Sequence, residues 1–195
     1  MVQELNRPFI SVFLALSVLI LSSCASRVST VQSDTAKPIK NSEGYLLLGL
    51  SSNMYLEYIV IDGESKIMFT KDDVRYNSNY LFTALPAGDY RIKSVKTGKY
   101  TGYSLLGDIW SFSVAPGTIS YVGDFQAKRS QWGDDILIVN RSSYAYEFMK
   151  DHFPSLLKKH SIDYTGKRED RFFDLIHKGE KSNNDETFVG KGVTK

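Results

Sequence analysis

The sequence predicts a mainly β protein: a single antiparallel β-sandwich of about seven strands with a C-terminal helical appendage. Three observations support this fold class. Short apolar segments alternate with turn residues across residues 44–140. The 12 tyrosines and 11 phenylalanines suit half-buried pleated surfaces. Helical spacing of apolar residues begins only after residue 140, so the 195-residue chain is expected to hold one domain with flanking segments.

The first strands are predicted where β-branched and apolar residues begin to dominate. Residues 45–50, 55–61 and 66–70 are three such segments, and the tetrad DGES at residues 62–65 separates the last two. Its Asp-Gly pair tolerates positive φ. The tetrad therefore predicts a hairpin turn.

A proline–glycine turn is predicted in the middle of the chain. The letters PAGD at residues 86–89 follow the apolar residues 81–85 and precede an alternating segment at residues 90–95. Proline fixes φ and glycine admits positive φ, so the tetrad predicts a tight turn that leads into a new strand.

A second turn of this kind follows. The letters APG at residues 115–117 separate the alternating residues 110–114 from residues 119–125. A short apolar segment at residues 136–139 completes the set of about seven strands.

Two to three short helices are predicted over residues 141–178. Ser143 is a suitable cap for the first, and Pro154 is expected to open the second after a bend at Phe153, because proline is tolerated only in the first turn of a helix. Residues 168–177 form a further amphipathic piece, and residues 179–195 are expected to be a disordered tail.

Two turn motifs carry a family resemblance. The letters LPAGDY at residues 85–90 and APGTISYVGD at residues 115–124, with the pair Phe153 and Pro154, resemble uncharacterised bacterial lipoproteins that have a prealbumin-like or carboxypeptidase-regulatory-like β-sandwich. The similarity covers roughly residues 44–160. It implies a fold and no catalytic residues, because the shared motifs are structural turns.

The amino terminus carries a second resemblance. An apolar segment at residues 9–21 is too short to span a bilayer comfortably, and the tetrad that ends at Cys24, the only cysteine, resembles the lipobox of bacterial lipoproteins. Residues 1–23 are therefore expected to be a lipoprotein signal peptide and Cys24 the acylated residue. An ordinary signal peptide with a chance cysteine and an amino-terminal membrane helix are the alternatives.

The segment after Cys24 predicts how the domain is held. Residues 24–43 are polar and aperiodic, which is typical of a flexible tether between a lipid and the β-sandwich of residues 44–140. By resemblance to Gram-negative lipoproteins, the lack of an aspartate directly after Cys24 favours the outer membrane. The expected location is lipid-anchored and facing the periplasm.

The sequence contains no motif that predicts catalysis or a cofactor. A zinc site would need His, Cys, Asp or Glu side chains that converge; with Cys24 assigned to acylation, only His152, His160 and His177 remain of the imidazole and thiolate ligands, and we expect no metal site. The pairs at residues 72–73 and 134–135 are adjacent aspartates that we place in loops, with a calcium ligand as the alternative.

The loop at residues 96–108 is the best candidate for binding. It is long for a connection between two strands and carries Tyr100, Tyr103, Leu105 and Leu106 among glycines. Two interpretations remain open: the four side chains recognise a partner, or they fold back and cover one end of the sandwich.

Composition excludes one class of partner. The formal net charge is +2 and neither sign clusters, so nucleic acid is not expected. The expected function is a non-enzymatic interaction or assembly module that is bound to the membrane by its lipid and to an envelope protein. The alternatives are an accessory lipoprotein of a secretion or envelope complex, and a periplasmic carrier of a small ligand or metal.

Overall fold

The computed structural model describes residues 25–35, 38–74 and 80–186, with the backbone alone at residue 74 and residues 180–186. The fold is 46% strand and 21% helix. The prediction of a mainly β protein is therefore confirmed.

Eleven strands lie within the described residues. In chain order they are β1 (Ser26–Arg27), β2 (Glu43–Ser52), β3 (Tyr58–Gly63), β4 (Ile67–Thr70), β5 (Tyr80–Pro86), β6 (Gly88–Lys96), β7 (Gly102–Ser104), β8 (Ser111–Val114), β9 (Ile119–Ser130), β10 (Gly133–Val139) and β11 (Ile162–Tyr164).

Four α-helices and one 3-10 turn accompany these strands in the described chain. The helices are α1 (Lys71–Val74), α2 (Ser142–His152), α3 (Pro154–Lys159) and α4 (Phe172–Glu186), and the 3-10 turn is Asp108–Trp110. None of the described helices is long and apolar enough to cross a membrane. The last helix extends through residue 186 and thus into the predicted tail, while residues 187–195 lie outside the described chain.

The strands form two sheets with the same plan. In sheet A the order is β1-β4-β3-β6. On its other side, β6 pairs with β8 along its first residues and with β7 along its last residues. In sheet B the order is β5-β2-β9. On its other side, β9 pairs with β11 along its first residues and with β10 along the rest. A long strand in each sheet thus pairs with one full neighbour and two short ones.

The sheets are mixed, whereas the sequence predicts an antiparallel arrangement. Three pairs are parallel: β1 with β4, β2 with β9, and β11 with β9. A parallel neighbour requires a long crossover connection, and here the chain passes through sheet A before β9 returns to β2. Alternation along a strand indicates which face is buried but not the direction of the neighbouring strand, so the sequence pattern missed these pairs.

One hydrophobic core lies between the two sheets. Sheet B contributes Leu46, Leu48 and Phe125 to this core, and sheet A contributes Ile61 and Phe69, all of them buried. Burying each such side chain contributes roughly 1.5–3 kcal/mol, so this layer is the main source of stability.

A second core lies between sheet B and the helices and is rich in aromatic rings. The ring centroids of Tyr45 and Phe82 lie 5.0 Å apart, and those of Phe82 and Phe153 lie 4.9 Å apart. Met149 of α2 and Phe173 of α4 are buried against the same face. Strand β2 is consequently buried on both faces, which explains its unbroken apolar sequence.

The glycine turns connect the two sheets. Gly88 adopts φ +147° between β5 of sheet B and β6 of sheet A, and Gly117 adopts φ +71° between β8 and β9. Such φ values favour glycine, as the sequence predicts. The tetrad at residues 62–65 does connect an antiparallel pair, β3 and β4.

Strand direction defines two ends of the paired sheets. We call the end where β2, β6 and β9 begin the proximal end. The opposite end, formed by residues 53–57, 97–101 and 131–132, is the distal end. Two backbone links join these distal segments to the sheets: the Asn53 amide donates to the Ala127 carbonyl at 3.2 Å, and the Glu57 amide donates to the Lys96 carbonyl at 2.7 Å.

The segment at residues 25–35, which the sequence predicts as part of a free tether, lies against the domain. Ser26 pairs with Ile67 on the edge of sheet A, and the Val31 amide donates to the Phe82 carbonyl of sheet B at 2.7 Å. The Asp34 carboxylate then accepts from the Ser155 and Leu156 amides, at 2.7 and 3.0 Å. Backbone and capping bonds, which need no apolar pattern, attach this polar stretch.

The helices begin close to where the sequence places them. Helix α2 starts at Ser142, whose amide and hydroxyl both donate to the Asn140 side chain, so Asn140 provides the cap that the sequence assigned to Ser143. Pro154 occupies the first turn of α3 after a bend at Phe153, as the sequence predicts.

Candidate functional site

The structure separates the four residues of the predicted binding loop. Leu105 is 6% exposed and packs in the core between the sheets, so for this residue the covering interpretation applies. Tyr100 is 87% exposed at the loop tip, and Leu106 is also exposed. Tyr103 lies on β7, at the edge of sheet A.

A polar triad fixes this loop to the neighbouring hairpin. The Tyr103 hydroxyl donates to the Asp134 carboxylate. The Arg129 guanidinium donates to both oxygens of the same carboxylate, through Nε and Nη2, each at 2.8 Å. These hydrogen bonds lower the pKa of Asp134 to about 2, and those from Arg129 have a larger effect than the one from Tyr103. The carboxylate therefore stays ionised over the physiological range and holds β7 of sheet A against β10 of sheet B.

The structure corrects the placement of both aspartate pairs. Asp134 and Asp135 lie on β10 rather than in a loop, and Asp134 is occupied by Arg129. Asp72 and Asp73 lie on α1, where the Asp73 carboxylate accepts from the Thr70 amide at 2.7 Å. Asp134 thus helps to join two strands, and Asp73 contributes to the start of a helix. Adjacency in the sequence did not reveal these partners.

Trp132 adds a second exposed ring to the distal end. It occupies the turn between β9 and β10 and is 89% exposed. Trp132 is not among the residues predicted from the sequence, although a tryptophan in a two-residue turn was the available signal. An indole in that position covers none of the core, which leaves its apolar surface available to a partner.

A cleft of about 290 Å³, which we call the distal cleft, opens beside the loop tip. Two lysines lie over tyrosine rings within it: Lys96 Nζ is 5.5 Å from the centroid of Tyr58, and Lys99 Nζ is 5.1 Å from that of Tyr100. Cation–π contacts of this kind hold an ammonium group in place while leaving it solvated.

A larger cleft, of about 590 Å³, lies along the β8 edge of sheet A. Its charged residues are of both signs, with Asp62 and Asp89 opposed by Arg91 and Lys167. Asp62 is already engaged by Lys93 at 3.1 Å. The mixed charge makes this cleft a poorer match to one ligand class than the distal cleft, although its volume is in the range of small-molecule sites.

Two further titratable groups with raised pKa values, Tyr121 and Asp124, lie between sheet B and α2. Asp124 is 7% exposed, and its Oδ1 accepts from the Tyr121 hydroxyl at 2.8 Å, while the Arg141 amide donates to the same hydroxyl at 3.0 Å. Burial is the main cause that raises the pKa of both Asp124 and Tyr121. Shifted groups often mark active sites. Here they join β9 to the residue before α2, which is a structural role.

A β-bulge brings these two side chains to one face. The register of β2 against β9 shifts between Leu47 and Gly49, and Gly123 adopts φ +114° at that level. Residues three apart on a regular strand point to opposite faces. The extra residue of the bulge in β9 brings Tyr121 and Asp124 to the same face. Gly49 leaves the space that Asp124 fills, because a Cβ there would lie 1.8 Å from Oδ1.

The three histidines do not converge. His152 and His160 each contact a backbone carbonyl through Nδ1, of Phe148 at 3.1 Å and of Gly117 at 2.7 Å. His177 Nε2 lies 3.2 Å from the Asp163 carboxylate. In the part of the chain that the structure describes, no group of three His, Cys, Asp or Glu side chains could hold a metal ion.

No family model matches the chain, and no curated protein and no solved structure is similar enough to count as a match. Cys24, the predicted acylation site, lies outside the described residues. The geometry of the distal end is therefore the basis for a functional proposal.

Proposed function

We propose that the chain is a lipid-anchored envelope lipoprotein whose domain is a non-enzymatic interaction or assembly module. In this proposal Cys24 carries the lipid, the protein is held on the outer membrane facing the periplasm, and the two sheets form a prealbumin-like β-sandwich. The partner is an envelope protein, and an accessory role in a secretion or envelope complex is a narrower form of the same proposal.

One observation carries the proposal: the expected anchor and the exposed rings lie at opposite ends of the fold. Strand β1 starts at Ser26, only two residues after Cys24, and runs parallel to β4 toward the distal end. Two residues of extended chain reach at most about 7 Å. An acyl group on Cys24 would thus hold the proximal end close to the bilayer.

The distal end would then project away from the membrane. Strand β9 runs from the proximal to the distal end over 12 residues, a length of about 40 Å at roughly 3.3 Å per residue. Tyr100 and Trp132 lie at that far end and make up little of either core. This arrangement suits a module that presents a recognition surface to the periplasm.

Metabolic labelling with a fatty-acid analogue tests the anchor. The full-length chain and its Cys24→Ala variant are expressed in a bacterial host and fractionated. We expect label and membrane association for the wild type, with both lost in the variant. Equal membrane association of the two forms without label would contradict the lipoprotein proposal.

A second class of function has one observation in its favour. The cleft of about 590 Å³ has the volume of a small-ligand site, which suits a periplasmic carrier. A ligand that binds the native state alone raises the melting temperature by mass action. A reproducible shift with one compound, abolished by Arg91→Ala, would favour the carrier over the assembly module.

A further inference from the structure

The distal cleft is lined by residues of one charge sign. Its ten lining residues include Lys96 and Lys99 but no aspartate or glutamate. The others are tyrosines and small or apolar residues: Tyr58, Tyr100, Tyr103, Ser94, Ser104, Val95, Thr101 and Gly102. A ligand that complements this lining has to bring negative charge together with apolar surface.

Of the two lysines in the cleft, Lys99 is the one whose positive charge is less offset by a neighbouring carboxylate. Lys96 Nζ is 3.9 Å from Glu57 Oε2, which is too long for a hydrogen bond but close enough to reduce its positive charge. On the adjoining hairpin, Arg129 is neutralised by Asp134. Lys99 has its ring contact with Tyr100, and among the described residues no carboxylate forms an ion pair with it.

The cleft and the exposed indole belong to one surface. Tyr103 lines the cleft, and its hydroxyl bonds to Asp134, which lies two residues after Trp132. Because Arg129 also donates to this carboxylate, the loop and the hairpin are held in a fixed arrangement in the free protein. Preorganisation of this kind reduces the entropy lost on binding.

We propose that this distal surface binds an acidic segment of a protein partner. The partner's carboxylates lie at Lys99 and Lys96, and its apolar side chains pack on Tyr100 and Trp132. Tryptophan and tyrosine are the residues most enriched at the energetic centres of protein interfaces, and depletion of acids on one side favours acids on the other. This inference rests on the proposed role as an interaction module and names the chemistry of its partner.

Selection of short random peptides displayed on phage tests the inference, with the full-length protein in detergent micelles as the target. We expect the enriched peptides to be acidic and to contain apolar residues. Their affinity should fall at least about tenfold for Lys99→Glu and for Trp132→Ala, the size of effect typical of interface anchors. The affinity should also fall as salt is raised.

Matched variants on the helix layer serve as controls. Lys150 also lies over a tyrosine ring, 5.9 Å from the centroid of Tyr146, and Tyr144 is exposed on the same helix. Lys150→Glu and Tyr144→Ala should leave the peptide affinity within about twofold. All four substituted side chains are exposed, and melting temperatures would verify that each variant folds.

Three results would overturn the inference. They are enrichment of neutral or basic peptides, acidic peptides whose affinity none of the distal variants changes, and binding of an anionic polymer such as heparin with no peptide enriched. Labelling of Cys24 is measured on the same preparations. Loss of that label would contradict the proposed anchoring, whereas retained label with any of these three results would contradict the partner chemistry alone.

Discussion

The Tyr121 hydroxyl donates a 2.8 Å hydrogen bond to Asp124 Oδ1 although the two residues lie three apart on the same strand. The bulge at Gly123 makes this possible, and the Arg141 amide completes the chain of hydrogen bonds to the helix layer. Desolvation of the carboxylate outweighs these contacts, since the pKa of Asp124 is raised.

That shift gives a pH prediction for Asp124→Asn. A carboxyl whose pKa is higher in the folded state stabilises the fold below its unfolded pKa, and this contribution is lost as pH rises through the folded value. An amide keeps the acceptor without the charge, so the variant should be more stable than wild type at neutral pH. Thermal unfolding at neutral and acidic pH measures the difference, which should vanish below pH ~4.

Asp124→Leu is the contrasting variant. It removes the acceptor and leaves the buried Tyr121 hydroxyl without this partner, which should cost about 1–3 kcal/mol at acidic pH. The cost relative to wild type should be smaller at neutral pH, where the wild type also buries a charge. If the asparagine and leucine variants were equally destabilised, charge burial would not be the dominant feature of this site.

Gly49→Ala should be strongly destabilising. The new Cβ would meet Asp124 Oδ1 at 1.8 Å and Cγ at 2.3 Å, so sheet B has to shift, at a cost of about 1–3 kcal/mol. Urea unfolding measures it. In an Asp124→Ala background the same change should cost much less. Gly179→Ala, on α4 with no atom near its Cβ position, is the control and should be neutral or stabilising.

Tyr103→Phe should loosen the loop without unfolding the domain. It removes one of the hydrogen bonds that depress the pKa of Asp134 to about 2. In the wild type the stabilisation from this carboxylate is present above its unfolded pKa, and it is lost as pH falls from there through the folded pKa of about 2. Amide hydrogen exchange at residues 100–104 should be faster in the variant at neutral pH, and acidification should reproduce the effect in wild type.

Unchanged exchange at residues 100–104 in Tyr103→Phe would show that β7 holds its position through backbone pairing with β6 alone. Asp134→Asn provides a second probe, because it weakens the contacts of both Tyr103 and Arg129. Its effect should therefore exceed that of Tyr103→Phe.

Asp34→Ala should release the amino-terminal segment from the domain. The carboxylate accepts from the Ser155 and Leu156 amides, so its loss leaves the first turn of α3 uncapped. Faster exchange is expected at Ser155, Leu156 and Val31, with the cores unaffected. Asp34→Asn retains a capping oxygen and should behave nearly as wild type. Equal protection in all three proteins would mean that the pairing of β1 and the Val31–Phe82 bond hold the segment without Asp34.

Local signals in the sequence predicted most of the longer strands and the turns between them. The turns at residues 62–65, 86–89 and 115–117 lie where glycine and proline chemistry places them, because a turn depends on a few neighbouring residues. Pro154 similarly predicted the start of α3.

Features that depend on distant partners were not predictable in this way. The parallel pairing of β2 with β9, the docking of residues 25–35 and the strand β11 all rest on backbone bonds between segments far apart in sequence. Among the four loop residues singled out from the sequence, the burial of Leu105 depends on the fold of sheet A. Trp132, which was not among the four, becomes a candidate only because the fold places it at the distal end.

The contact of Asp34 with Ser155 spans 121 residues and has a consequence for the order of events during synthesis. The amino-terminal segment cannot finish docking until α3 has been made, so it stays loose while most of the chain emerges. Residues 25–35 would therefore reach their docked position only after residue 156 has been synthesised. The first segment that the structure describes is thus among the last to be fixed in place.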